Sequence, residues 1–157
     1  MGKYDAVELS GEEKKRYVAR CMARIRKWGL RMPEVKPLAL HFGLGEFEKT
    51  GEIEFWIANE TGEGYCGKFL FVFDGQTCPY HHHKKKHETF YILKGTVRMR
   101  IGKKERRLKE GDHLAMPPGT AHSFTGVGDA LLLEVSSPCL LQDNFFENKK
   151  IGDKGVI

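Results

Sequence analysis

The chain has 157 residues, which suits one domain and leaves little room for a second. Apolar residues make up 40% and charged residues 30%, so one ordinary core under a well-solvated surface is expected, and no run approaches the length of a membrane span. A net charge of +5 raises nucleic acid or an anionic ligand. The basic residues, however, divide among Lys14–Lys27, Lys84–Lys86 and Lys103–Lys109 with no interleaved aromatic motif. They read as solvated faces, and no nucleic-acid or membrane partner is expected. Met1 to Ser10 lacks the basic-then-apolar layout of a signal peptide, so a cytoplasmic location is the expectation.

Ser10-Gly11-Glu12-Glu13 reads as a capping box opening a helix over 11–28. Tyr17, Val18, Cys21, Met22, Ile25 and Trp28 recur at helical spacing, and Gly29 and Pro33 stop the element. The stripe is expected to pack on the rest of the fold or on a partner subunit. From Pro37 onward the pattern changes to short apolar runs near 38–42, 52–58, 68–73, 89–93, 97–101, 113–116, 122–124 and 130–136. Turn signals such as Asp74-Gly75, Lys94-Gly95 and Pro117-Pro118-Gly119 separate them. Many evenly spaced short strands predict a sandwich or closed barrel, which leaves no open edge. Cys21, Cys66, Cys78 and Cys139 form no CxxC pair and read as free thiols, with Cys78 a small packed side chain. The tail from Gln142 is polar, with Phe145 and Phe146 as anchors.

The stretch from Gly75 to Glu88 is the most informative part of the chain. Side chains alternate along a strand, so His81 and His83 point one way and His82 the other. Glu88 begins the following strand after a short turn, and His122 begins another after Pro117-Pro118-Gly119-Thr120. Three imidazoles and a carboxylate converging inside a barrel make a mixed nitrogen and oxygen site. Such a set suits Mn²⁺, Fe²⁺, Co²⁺, Ni²⁺ or Zn²⁺, with positions left for water or substrate. Lys84–Lys86 beside it reads as a solvated turn, with attraction of a phosphate or carboxylate at the barrel mouth as the alternative.

This spacing resembles the cupin family. Gly75, His81, His83, Glu88 and Gly95 stand at every position of the first cupin motif, and Gly111, Pro117, Gly119 and His122 at those of the second. Gly126 stands where Asn is usual, and glycine suits a left-handed turn there. The resemblance implies an all-β, double-stranded β-helix (jelly-roll) barrel behind an N-terminal α-helix, with His81, His83, Glu88 and His122 as metal ligands. The division expected is 1–36 as a helical segment packing on the barrel, 37–142 as the barrel and 143–157 as a tail.

A narrower resemblance is to D-lyxose isomerases of the cupin type. It rests on Phe42-Gly43-Leu44-Gly45, Tyr65-Cys66-Gly67-Lys68, Phe73 to Pro79, Glu88-Thr89-Phe90, Pro117 to Phe124, Glu134-Val135-Ser136-Ser137 and Asp143 to Glu147. This chain lacks that family's longer insert between the second His and the Glu, and Gly95 to Gly111 is minimal. Those segments shape the pocket wall, so another sugar or sugar derivative is an alternative substrate. The resemblance implies a metal-dependent aldose–ketose isomerase of the D-lyxose/D-xylulose or D-mannose/D-fructose type, with Mn²⁺ foremost, a small sugar as ligand and a homodimer as assembly. The helix and Phe145/Phe146 are the candidate subunit contacts. A cupin phosphoglucose isomerase is a close variant, and a non-haem iron dioxygenase or a non-catalytic sugar-binding module are the other classes. Lys68 shares a strand face with Leu70 and Val72, and Glu134 one with Leu132 and Ala130. If those faces line the interior, both charges are costly unless paired or used. Used, and with the isomerase resemblance in support, Glu134 is expected as the proton-transfer base and Lys68 to stabilise or protonate an oxygen; an internal Lys68–Glu134 ion pair, or edge positions exposed to water, is the alternative.

Overall fold

A computed structural model describes residues 4–151. The ends of the segments expected at 1–36 and 143–157, residues 1–3 and 152–157, lie outside the described residues. Helix α1 (Gly11–Lys27) is followed by β1 (Leu38–Leu40), β2 (Glu52–Glu60), β3 (Tyr65–Val72), β4 (Thr77–His82), β5 (Glu88–Lys94), β6 (Thr96–Ile101), β7 (Lys104–Lys109), β8 (His113–Met116), β9 (His122–Gly126), β10 (Ala130–Ser136) and β11 (Phe145–Phe146). Among the described residues no helix is long and apolar enough to cross a membrane.

Two antiparallel sheets form the barrel. One has the order β1-β2-β3-β10-β5-β8 and the other β11-β4-β9-β6-β7. Their inner faces share one core, in which Leu70, Phe90, Ile92 and Leu132 meet Val97, Met99, Leu108 and Phe124. This is the jelly-roll predicted from the spacing of strands and turns. The outer face of the six-stranded sheet is also buried in part, because α1 lays Tyr17, Cys21 and Ile25 over Ile53, Phe55, Phe71 and Leu131. Arg24 Nε donates to Asp129 Oδ2 at 2.8 Å and ties the helix to the barrel.

The helix ends as predicted and begins differently. Gly29, at φ +73°, donates to Arg26 O, and Leu30 donates to Ile25 O, a Schellman arrangement. Ser10 makes no side-chain cap, so the expected capping box is not formed. Gly11 enters the helix at φ +57°, and the first turn closes by Lys14 N–H to Ser10 O at 3.2 Å.

Strand β7 was not anticipated, because its sequence is charged and only Leu108 faces the core. It is the outer arm of a hairpin with β6, where a polar strand costs nothing. Gly126 has a different reason from the one expected. Its φ is not positive, and it closes β9 as a strand residue. A Cβ there would lie 2.5 Å from Phe73 O and 2.8 Å from Gly128 O, so close backbone approach requires the glycine. Phe146, expected as a subunit contact, is buried within the chain beside Phe42 and Ile151.

Candidate metal centre

The strand register decides what enters the barrel. Cys78 and His81 are three residues apart and would face opposite ways on a regular strand. The β4–β9 pairing shifts between them, and both line the interior cavity. His83 continues on the face of His81, while His82 points away and stacks on Phe145 with centroids 5.2 Å apart. His122 sits opposite His81 in the β4–β9 register, and Glu88 opens β5 opposite Met116 of β8. One ligand atom from each of His81, His83, Glu88 and His122 lies within 4.8 Å of all the others, and all four residues are buried. His87 and His113 stand exposed at the surface.

Second partners fix the state of each ring. The Nδ1 atoms of His81, His83 and His122 lie 2.7, 2.7 and 2.9 Å from the carbonyls of Pro79, Asp143 and Thr120. A carbonyl only accepts, so each Nδ1 carries a proton, and Nε2 is the atom that each ring turns toward the cluster. Nε2 of His83, Nε2 of His122 and Oε1 of Glu88 are buried without a hydrogen-bond partner. Nε2 of His122 and Oε1 of Glu88 lie 2.7 Å apart. Two acceptors this close need a proton or a cation between them. A proton would serve that one contact, whereas a cation serves the unpartnered His83 Nε2 as well. Burial, with the neighbouring His122 and His83, holds the His81 ring well below the usual imidazole range, and burial lowers His83 as well. Three imidazoles with Nε2 turned inward and one carboxylate therefore fit a divalent ion with positions to spare.

Asp143 holds the turn that carries these ligands. Its carboxylate accepts the backbone N–H groups of Lys84 at 2.9 Å, Lys85 at 3.1 Å and Lys86 at 2.9 Å, while its carbonyl accepts from His83. Burial opposes its charge, but those three N–H groups prevail and lower its pKa. Sequence reasoning placed Asp143 in the tail and missed this role.

A chain of charges continues inward. Lys86 is buried, contrary to the solvated turn expected of Lys84–Lys86; Lys84 and Lys85 remain exposed. The turn folds the Lys86 side chain inward, with Nζ 2.8 Å from Glu88 Oε2 and 2.5 Å from Glu134 Oε1. Lys68 and Glu134 are cross-strand partners on β3 and β10, with Nζ 3.7 Å from Oε2. Lys68 also donates to Glu54 Oε1 at 2.8 Å, and Trp56 Nε1 donates to Glu54 Oε2 at 2.6 Å. Burial alone would lower the Lys68 pKa, but the carboxylates of Glu134 and Glu54 outweigh it and hold the ammonium form well above its usual range. Glu52 lies deeper with Oε2 unpartnered, and burial and the Glu54 carboxylate raise its pKa. Glu52, Lys68, His81, His83, Glu88 and Glu134 line one cavity of about 20 Å³, room for about one water. Glu52 and Glu54 escaped the sequence reading because they alternate with Ile53 and Phe55, the pattern of a strand with one wet face. Here the apolar positions face α1 and the carboxylates face the barrel.

Residues 69–136 match the model of the cupin domain family. The chain is similar to the D-lyxose/D-mannose isomerase of Thermosediminibacter oceani, 31% identical over 122 residues, covering 74% of this chain and 64% of that protein. The chain thus spans less than two thirds of that relative's length. It is also similar to the D-lyxose ketol-isomerase of a Thermofilum species, 30% identical over 139 residues, covering 70% of this chain and 76% of that protein. Among solved structures, an Acinetobacter sp. DL28 L-ribose isomerase mutant in complex with L-ribose superposes with a TM-score of 0.75 at 15% identity, covering 96% of this chain and 97% of that one. The L-ribose isomerase of Geodermatophilus obscurus gives 0.74 at 16% identity, covering 96% and 98%. At such identity these structures speak for the fold alone. The sequence relatives go further: the chain is a cupin and belongs to the family of the D-lyxose ketol-isomerases.

Proposed function

We propose that this protein is a metal-dependent aldose–ketose isomerase acting on a small sugar of the D-lyxose/D-xylulose or D-mannose/D-fructose type. The observation that carries the reading is the convergence of three buried imidazoles and Glu88 beside a second buried carboxylate, Glu134, that is free of the ligand set. The names of the relatives agree with it.

In this reading His81, His83, Glu88 and His122 hold a divalent cation, Mn²⁺ foremost. When bound, the cation supplies Lewis-acid polarisation of the sugar's carbonyl and neighbouring hydroxyl oxygens. Glu134 takes the proton from the carbon beside the carbonyl and returns it to the former carbonyl carbon, while the proton of the neighbouring hydroxyl passes to the former carbonyl oxygen, the two transfers that an enediol route requires. Its carboxylate is oriented by the Ser136 hydroxyl, which donates to Oε1 at 3.0 Å, and balanced by the Lys86 and Lys68 ammonium groups. Lys68 Nζ donates a hydrogen bond to a sugar oxygen from the cavity wall. A sugar needs far more than the present cavity, so the Lys86 and Asn144 side chains at its lining give way as it enters. The protein acts as a cytoplasmic homodimer in this reading, with the outer face of the six-stranded sheet, where Ile57, Tyr65, Tyr91 and Val135 are exposed, as the contact.

The test is an assay of the manganese-loaded protein against D-lyxose, D-xylulose, D-mannose and D-fructose. Glu134→Gln should bind the metal stoichiometrically and lose at least about 10²-fold in turnover, the usual worth of a positioned base. His122→Ala should lose both metal and turnover. Full turnover by Glu134→Gln removes Glu134 from the role of base. Oxygen uptake with iron, and no sugar product with any divalent metal, overturns the isomerase in favour of a dioxygenase.

A further inference from the structure

Outside the proposed metal centre the structure sets two thiols side by side. Cys66 on β3 and Cys139, just beyond β10, have Sγ atoms 3.5 Å apart, and both are buried. The contact is held from the backbone. Cys66 is the register partner of Ser136 across β3 and β10. Asn59 on β2 grips residue 139 from both sides, its Nδ2 donating to Cys139 O at 3.0 Å and its Oδ1 accepting from Cys139 N–H at 2.9 Å. Sequence reading took the four cysteines as scattered free thiols; the fold brings two of them, 73 positions apart, into contact.

A soft metal ion is the other ligand that two thiols and Glu134 would attract, since these three residues also cluster. The Lys86 and Lys68 ammonium groups, 2.5 and 3.7 Å from the Glu134 carboxylate, repel a cation there. The same positive charges favour a thiolate. We propose that Cys66 and Cys139 are a thiol–disulfide modification site, oxidised by a small anionic disulfide of the glutathione type.

The surface supplies an approach. Pro138 and Leu140, which flank Cys139, line a cavity with Lys85, Lys86 and Ser137, and the exposed Lys85 matches a carboxylate of such an oxidant. The Cys66 thiol, as donor, with the two lysines, lowers the Cys139 pKa to about 7 against burial and the Glu134 carboxylate, so a thiolate is within reach near neutral pH. Cys139 Sγ attacks one sulfur of the oxidant and expels one glutathione thiolate. Cys66 Sγ attacks the resulting mixed disulfide and expels the second. Two electrons pass to the oxidant, and the two thiol protons end on the two released thiols. The sulfurs close from 3.5 Å to the roughly 2.05 Å of a disulfide, a shift that a loop residue can make without breaking β3 or β10. The bond would tie the segment after β10 to β3 and take the Cys139 thiol away from Glu134 Oε1, now 4.0 Å from it.

The test does not depend on any sugar. The full-length protein is equilibrated with oxidised glutathione at neutral pH, denatured, and its thiols counted, with peptide mapping without reductant. The proposal expects the four cysteines to fall to two titratable thiols, a linked pair of peptides carrying Cys66 and Cys139, and full reversal by dithiothreitol. Cys66→Ala should give one lasting glutathione adduct on Cys139, and Cys139→Ala four-fifths or more of its remaining thiols unmodified. Four free thiols in the treated wild type overturn the proposal, as does a link that involves Cys21 or Cys78, or a stable glutathione adduct in place of the link.

Discussion

Lys86→Met tests the interior charge chain most directly. The substitution keeps length and volume and removes the ammonium group that lies between Glu88 and Glu134. Breaking a buried ion pair by deleting one member costs about 3–5 kcal/mol, because the surviving charge stays buried. Here two carboxylates lose a cation. Glu134 retains Lys68 at 3.7 Å and the Ser136 hydroxyl, whereas Glu88 keeps no other ammonium group. A loss within that range, about 3–5 kcal/mol, is therefore expected for the metal-free protein. A divalent ion at Glu88 would compensate one of the two carboxylates, so the loss should shrink to roughly half when the metal is bound. Urea denaturation of both proteins, once with excess chelator and once with excess Mn²⁺, reads the two values. A metal-free loss under about 0.5 kcal/mol, the level of an ordinary surface substitution, would refute the buried placement of Lys86. An equal loss with and without metal would refute the placement of the ion at Glu88.

Asp143→Asn should cost about 2–3 kcal/mol, since an amide cannot accept from three consecutive N–H groups as a carboxylate does. Its pKa is lowered by folding, so its contribution is present above about pH 4, the unfolded value, and fades as the pH falls through the folded one. Urea titrations across that range should show the mutant and wild-type curves converging at the acid end. A constant gap would mean the charge is not what matters. Gly95→Ala should destabilise by at least about 2 kcal/mol, because the residue sits at φ +79° and a Cβ would fall 2.3 Å from Asp129 O. Thermal melts of the variant check it.

Strand and turn punctuation made the barrel legible, because glycine and Asp-Gly pairs mark places where the chain must reverse. Histidine spacing made the candidate ligands legible for a related reason: the period of a strand fixes which residues share a face. What stayed hidden depends on the far side of each element. β2 alternates Glu52, Ile53, Glu54, Phe55, the signature of a strand with one wet face. Only the placement of α1 over Ile53 and Phe55 shows that the glutamates must face inward. Lys86 stayed hidden because a lysine run in a turn carries no periodicity, and the turn alone decides which of three equivalent side chains folds in. β7 stayed hidden because pairing with β6 asks only for Leu108, and Asp143 because its partners are backbone groups, which leave no trace in composition.

The interior charges carry the case for a cation further than the ligand geometry does alone. Four carboxylates, Glu52, Glu54, Glu88 and Glu134, share the barrel interior with two ammonium groups, Lys68 and Lys86. Isolated charge in such a medium costs several kcal/mol per ion, so an excess of two negative charges would not persist unrelieved. One is relieved locally, because burial and the Glu54 carboxylate raise the Glu52 pKa and favour its neutral acid form. The pairing elsewhere is mutual: Lys68 with Glu54, Lys86 with Glu134. Lys86 also reaches Glu88 at 2.8 Å, so one ammonium group is shared by two carboxylates and one negative charge is left over at Glu88 and Glu134, beside three imidazoles whose Nδ1 protons are all committed to backbone carbonyls. A proton shared with His122 would answer that single charge and leave the lone pairs of His81 and His83 facing it. A divalent cation answers the charge and the lone pairs together, so the same ion that would serve the chemistry also completes the electrostatics of the fold.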